Sequence, residues 1–417
     1  KMGANGGFPF LILYLALALC CGVIIMLGEL ALGRKTGHGA VGAYQSISKR
    51  FKWLGWLGIA AAALIFSFYS ALGGYCLRYV VVNFGNLIGA EFGTNGVGGA
   101  DVFQGLLSQP DVSIAFALAF MLITMLVVMS GVGGGIERVC SVGMPALFFI
   151  LIICIIRSCT LPGAVDGLKY MFVPGWAVAN GIIDEAPGFW RVLTAAGGQM
   201  FFSLSLGAGV MITYGSYLDK KQDLGKSAMI IVGMDTVVAL MAGLCVIPGR
   251  FALDPSGDLG GPELLFITMQ NVFDKMGSIG PIFGILFYLL VVFAAISSSI
   301  SMLEVIVAHF CDKAREKGKG DRRKLYSAIA VVICAALCAL VCADGMGSNH
   351  ISPAELLGLA GAKLPGWSTS WLGLFDSVAE GLLMPLGALL MCLMISWELK
   401  PDALRQEILL NGENRPW

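Results

Sequence analysis

Between Gln199 and Tyr217 the chain reads QMFFSLSLGAGVMITYGSY, apolar enough to cross a membrane, yet with Gly207 and Gly209 at its middle behind Ser203 and Ser205. Hydrocarbon holds no water to satisfy backbone groups. A spanning helix can therefore open only where its freed N–H and C=O groups line a cavity or grip a ligand. A discontinuous span of this kind is the usual substrate and ion site of a secondary transporter. The other reading is a continuous helix whose glycines let a neighbour pack closely.

The rest of the sequence agrees with a membrane location. Hydrophobic residues fill 57% of the 417 positions and charged residues 13%, with a mean hydropathy of +0.82. A soluble domain carries roughly twice that charge fraction, so this is an integral membrane protein with no separate soluble domain. Net charge is zero, and no basic surface is dense enough for nucleic acid. The twelve cysteines, among them Cys154, Cys245, Cys334 and Cys338, lie almost entirely in apolar stretches without a CxxC pair, and read as small packing residues. GVGGGIER at Gly131–Arg138 lacks the GK[ST] of a phosphate-binding loop and reads as a short cytoplasmic turn. His38, His309 and His350 are scattered, and no nucleophile–base–acid set or HExxH is present. An intramembrane enzyme would need a second acid facing Asp235, and none stands at a convincing spacing.

Nine spans reach about the 20 apolar residues a bilayer requires: Phe8–Gly33, Leu54–Ile88, Val112–Met129, Gly143–Leu161, Thr194–Leu218, Ser227–Ile247, Ile279–His309, Tyr326–Cys342 and Trp371–Trp397. Basic residues concentrate in Arg34–Lys52, in Asp312–Lys324, and at Lys220, Lys221 and Lys226. The positive-inside rule makes these three connections cytoplasmic, and the alternation of nine spans is consistent with that. The acid-leaning loops Gly85–Asp111 and Arg250–Ser278 then lie outside, as does Lys1. A start outside with no signal peptide suggests a preceding span before Lys1, and a polar cytoplasmic stretch, 398–417, closes the chain.

Several runs in order share one pattern. They are NGGFPF with GVIIMLGELALGR, SFYSALGGYCLRY, GIERVCSVGMPALF, IRSCTLPGAVDGLKYMFVPGW, GQMFFSLSLGAGVMITYGSYL, MDTVVALMAGLCVIPG, FAAISSSISMLEVIVA and LFDSVAEGLLMPLGALLM. From Asn5 to about Trp397 this ordered set resembles the neurotransmitter:sodium symporters, specifically their bacterial amino-acid-transporting branch. The resemblance implies an all-α polytopic inverted-repeat fold of five plus five helices. In it, 8–161 would be the remainder of the first repeat and 194–397 the second, in a single transporter domain. It further implies that the chain begins just after the family's first helix and stops before an eleventh. That first helix supplies about half of the ion and substrate contacts, so residues 1–417 alone are not expected to transport.

The same resemblance assigns roles. Tyr69 would donate its hydroxyl to a substrate carboxylate; a phenol does this at a depth where a cation costs a few kcal/mol. A packed tyrosine is the plainer alternative. Ile65, one turn earlier on the same face, with Phe293 and Met302, resembles pocket wall. Phe202 resembles an aromatic lid, Ser203 a sodium ligand, Ser205 a substrate contact, and Gly207 the point of unwinding. Ala208 matches a position where relatives carry bulkier residues, which favours a larger, aromatic or branched aliphatic substrate.

Asp235 lies inside a span, where a carboxylate costs roughly 2.5–3.5 kcal/mol and marks an ion pathway unless it snorkels outward. In the family this position is often an asparagine that binds sodium beside a chloride held by a serine one turn on. Here Asp235 and Ala239 stand in that pair, so the resemblance implies sodium without chloride dependence. Ala294, Ser297 and Ser298 resemble a second sodium site, although serine runs in helices more often back-bond to the preceding turn. Asp376 resembles the acidic partner of an outer-gate arginine, or is simply a helix-entry cap. Glu29 and Glu304 read as structural ion-pair members without a transport role, and Arg78 is left without one. The expected activity is sodium-coupled symport of a small neutral amino acid through a bacterial cytoplasmic membrane, with one or two Na+. A channel or an amino acid sensor of the same fold is the alternative.

Overall fold

The computed structural model describes residues 1–94, 96–255, 260–318, 320, 322–359, 366–399 and 401–409, which form helices and loops with no strand among them. The first span is α1, Phe8–Thr36, with one π turn at Ala18–Gly22. There follow α2 (Lys52–Ile88), a short outer helix α3 (Gly99–Leu107), α4 (Pro110–Met129) and α5 (Val132–Cys159). The glycine-split span is two helices, α6 (Phe189–Ser203) and α7 (Val210–Gly215). Then come α8 (Leu224–Leu253), α9 (Gly280–Glu316), α10 (Arg323–Asp344), α11 (Trp371–Leu399) and α12 (Pro401–Leu409).

Eight of these helices are long and apolar enough to cross a membrane. The ninth expected span is the broken one. The segment at Gly131–Arg138 is not a turn. Val132–Ile136 forms a π-helical entry that runs on into Glu137–Cys159, lengthening the fourth span by more than two turns at its N-terminal end. The glycine run argued for a loop, but hydrogen bonds from Gly135 and Ile136 to the Gly131 carbonyl give it helical partners.

Helices α2 and α9, 37 residues each, pack against one another along the centre of the molecule. At 1.5 Å per residue each is about 55 Å long, well beyond a bilayer core of about 30 Å, so both project or tilt. Gly73 and Gly74 bring α2 against Phe120 and the Ala117 backbone of α4, where a side chain would find no room. In lipid, such close backbone approach is a main source of helix association. The outer half of α2 is further fixed by rings. Tyr75 and Tyr79 lie 5.8 and 5.2 Å from Phe266, Tyr79 lies 4.9 Å from Tyr288, and Phe103 of α3 lies 5.2 Å from Phe266. Aromatic pairs at these separations contribute about 0.5–1.5 kcal/mol each beyond their buried area.

The two ends are sorted by charge. At one end the three basic connections meet. Gly39 N donates to Asp312 Oδ2 at 2.9 Å, and Arg34, buried to 4% exposure, donates to the Gln222 carbonyl and pairs through Nε with Glu407 Oε1 at 2.8 Å. A buried guanidinium needs such partners, and they dock α12 onto α1. Of the closing segment expected at 398–417, residue 400 and residues 410–417 lie outside the described residues. At the opposite end the acid-leaning loops meet: Gly99 N donates to Asn271 Oδ1, and Asn83 Nδ2 to Gln270 Oε1, both at 2.9 Å.

Candidate substrate and cation site

The break between α6 and α7 is a real loss of helix. Ser205, Gly207 and Gly209 have φ of 53°, 79° and 75°. A serine at positive φ is uncommon and persists only where surrounding structure holds it. At Gly207 a Cβ would overlap the Met384 carbonyl oxygen, so the unwound strand lies directly on the α11 backbone. Its freed N–H donates to Glu29 Oε1 of α1 at 2.6 Å. Glu29 is therefore not an ion-pair member. It is a buried carboxylate bonded to an opened backbone, the kind of partner that an unwound span in lipid requires. Glu304 does enter an ion pair, with Arg323, and also accepts from Tyr217 at 2.6 Å.

Beside the break is a cavity of about 190 Å³. It is lined by Ile65 and Tyr69 of α2, Gln199, Phe202 and Ser203 of α6, Ser205 of the break, Asp235 of α8, and Ser298 and Met302 of α9. Four helices and the break thus converge on one small chamber. The Tyr69 and Phe202 rings stand 6.2 Å apart at 59°, closing one side. Tyr69 of α2 and Ser298 of α9 both line the chamber. Asp235 is the single charged side chain among the described residues of the lining. Its Oδ2 accepts from Ser203 Oγ at 2.7 Å and from Tyr14 OH at 3.1 Å. Both donors are neutral, so no cationic side chain among the described residues of the lining occupies the carboxylate, and Ser203 Oγ retains lone pairs of its own.

Other expected residues are not on this wall. Ala208 is fully buried, with its backbone against Gly58 of α2, so its methyl does not set the chamber's size. The helix break turns it away from the face that Phe202, Ser203 and Ser205 share. Gly207 contributes the backbone contact to Glu29 instead. Phe293 faces Gly143 of α5. Ala294 and Ser297 are outside the lining, and Ser297 Oγ donates to the Ala294 carbonyl at 2.8 Å, the back-bonded arrangement. Of the second expected cation set, only Ser298 reaches the chamber.

Asp376 is not in the lining; it stands on α11 one turn before Glu380. Lys1 pairs with Glu380, and its Nζ is 6.0 Å from the centre of the Phe202 ring. Sequence reasoning missed Tyr14, Gln199, Glu380 and Lys1. A lone phenol inside the apolar run FPFLILYL and a lone amide at the head of the broken span were the available signals.

Comparison with known proteins gives concordant results. Residues 2–95 and 100–353 match the family described as "Sodium:neurotransmitter symporter family". The uncharacterized sodium-dependent transporter YhdH of Bacillus subtilis is 36% identical over 99% of this chain and 84% of its own length. An uncharacterized sodium-dependent transporter of Methanocaldococcus jannaschii is 28% identical over 97% of this chain and 77% of its own. Among solved structures, that of MhsT in complex with L-phenylalanine aligns with a TM-score of 0.81 and 34% identity, covering 98% of this chain and 86% of that one.

Proposed function

We propose that this chain, which belongs to the sodium:neurotransmitter symporter family, carries a small neutral amino acid with a hydrophobic or aromatic side chain in symport with sodium and without chloride. Membership makes it a sodium-dependent, multi-pass membrane transporter and not an enzyme. The finer reading rests chiefly on one observation: a single chamber holds an unwound span, a phenol, a second aromatic ring, serine hydroxyls and one carboxylate. These groups suit the two ends of an amino acid and a hard cation. Tyr69 faces the substrate carboxylate, Ile65, Phe202 and Met302 face its side chain, and Ser205 adds a polar contact. Asp235 and Ser203 hold one sodium ion. Ser298, with Ala294 and Ser297 after their back-bond opens, holds a second. MhsT, a structural neighbour, was solved with L-phenylalanine, which supports an aromatic substrate.

The direction of the hydroxyls supports chloride independence. Tyr14 and Ser203 both donate to Asp235, so the donors that would meet an anion are spent on a fixed carboxylate. Ala239, one turn on, carries no ligating atom. Transport proceeds by alternating access in the bacterial cytoplasmic membrane. Substrate and sodium each favour the same occluded arrangement, which couples them. Phe202, with Asp376 beyond it, closes the outer side.

Uptake of labelled L-phenylalanine in sodium media with chloride replaced by gluconate tests the reading. Equal rates in the two media are expected; uptake abolished by chloride removal refutes chloride independence. The Tyr69→Phe substitution removes a single hydroxyl. A lost bond to a charged group is worth about 1.5–3 kcal/mol, so apparent amino acid affinity should fall roughly ten- to a hundredfold. An unaltered affinity removes Tyr69 from the carboxylate site. The Ser298→Ala substitution should shift sodium activation to higher concentration, and an unchanged sodium curve counts against the second ion.

A further inference from the structure

Near the C-terminal ends of α5 and α8 is a cavity of about 10 Å³, room for one ion or water, which shares no lining residue with the central chamber. Each helix gives it two residues one turn apart: Cys154 and Ser158 from α5, Cys245 and Gly249 from α8. Ser158 Oγ stands 3.0 Å from the place a Cβ on Gly249 would take, so the neighbouring turn sets the Cys154 and Cys245 thiols opposite one another. Both cysteines are free and buried, at 5% and 2% exposure. Two thioethers join the wall: Met269 opens the short helix Met269–Lys275, and Met276 follows it. Arg157 Nε and Ser158 Oγ, from residues of the same wall, are buried without a hydrogen-bond partner. Such groups are costly in a well-packed protein unless something else completes them.

We propose that this cavity binds one soft monovalent cation, Cu(I) or Ag(I), between the sulfurs of Cys154 and Cys245. Thiolate and thioether sulfur select such ions over the hard cations that carboxylates and hydroxyls take. Binding replaces each thiol proton with a metal–sulfur bond, and both protons leave to solvent. No electron is transferred. One monovalent ion on two thiolates carries a single net negative charge. The Arg157 guanidinium balances it, and Ser158 Oγ donates to a thiolate. The Met269 and Met276 thioethers close the remaining sides. Among its described residues the lining holds no carboxylate or imidazole, which disfavours Zn(II), an ion that takes four such ligands or thiolates. Arg157 and Met276 are only partly covered, and the ion enters past them. An occupied site joins α5, α8 and the Met269–Lys275 helix. Asp235 precedes Cys245 by ten residues on α8, about 15 Å along the axis, so a bound ion restrains the helix that carries the central carboxylate.

Oxygen-free equilibrium dialysis of the purified protein against Cu(I) buffered with bicinchoninate tests this. The parent protein should retain one more Cu(I) per chain than a variant carrying Cys154→Ala and Cys245→Ala together, so that ions on other cysteines cancel in the difference. Cu(I) should also raise the melting temperature of the parent and leave that of the variant unchanged. Arg157→Gln keeps all four sulfurs and removes only the balancing charge. It should weaken retention roughly ten- to a hundredfold, as loss of an outer partner does at metal sites. Zn(II) should be retained equally by parent and double variant. Equal Cu(I) retention by those two proteins overturns the proposal, and so does unchanged affinity in Arg157→Gln. A Cys154–Cys245 disulfide, read as two missing titratable thiols before copper is added, overturns it equally, as does Zn(II) held by the same two cysteines. Neither readout requires transport, so this proposal and the symport reading fail separately.

Discussion

Replacing Asp235 with asparagine should raise the sodium concentration needed for half-maximal uptake by at least tenfold. Asparagine keeps the shape and one acceptor for Ser203 Oγ and Tyr14 OH, 2.7 and 3.1 Å from Oδ2, but removes the charge. Charge-assisted bonds are about twice as strong as neutral ones, and the loss of one to an ion is worth about 1.5–3 kcal/mol, or roughly ten- to a hundredfold in affinity. The bound cation would then lack a counter-charge from the protein. Uptake by Asp235→Asn should therefore respond to chloride where the parent protein does not. Flux measured across sodium and chloride titrations checks both effects. An unchanged sodium curve would mean that the carboxylate is structural.

Gly207→Ala should be the more damaging change. Its φ of 79° is left-handed, which costs an L-residue about 1–2 kcal/mol. The added methyl would also overlap the Met384 carbonyl oxygen, so α11 must move or the unwound strand must shift. Either displaces the N–H that Glu29 accepts at 2.6 Å. Loss of measurable amino acid binding is expected, with a lowered melting temperature. Glu29→Ala provides the graded comparison. It leaves one buried N–H unsatisfied, a penalty of about 1–3 kcal/mol, without any clash. Wild-type binding and melting in Gly207→Ala would show that the close approach to α11 is dispensable.

These two residues show what a single sequence reveals. Gly207 and Gly209 were visible as a break because glycine inside an apolar span conflicts with the backbone's need for bonds in lipid. Asp235 was visible for the parallel reason that a charge there is costly. Their partners were not visible. Tyr14 lies 221 positions from Asp235 and Glu29 lies 178 from Gly207, and local pattern carries no trace of which acid meets which amide. Glu29 therefore read as half of an ion pair, when its partner is backbone.

Orientation was the other limit. The family pattern placed Ala208 on the chamber wall, yet between the left-handed Gly207 and Gly209 its backbone packs on Gly58 and its methyl is buried away from the lining. Span existence was legible from hydropathy, whereas the helical entry at 132–136 was hidden by its glycines. The outer helix Gly99–Leu107 falls within a loop too short and mixed to register as a span. Its position over Tyr75 and Tyr79 depends on aromatic contacts with residues far along the chain.

Sodium-driven accumulation is the central claim. With the protein in sealed liposomes, labelled L-phenylalanine should concentrate inside above its external level when sodium is higher outside. It should then flow back to equality when an ionophore collapses the sodium gradient. Equilibration without accumulation would identify a channel, and saturable binding without entry a sensor. Either result would contradict the coupled symport proposed here.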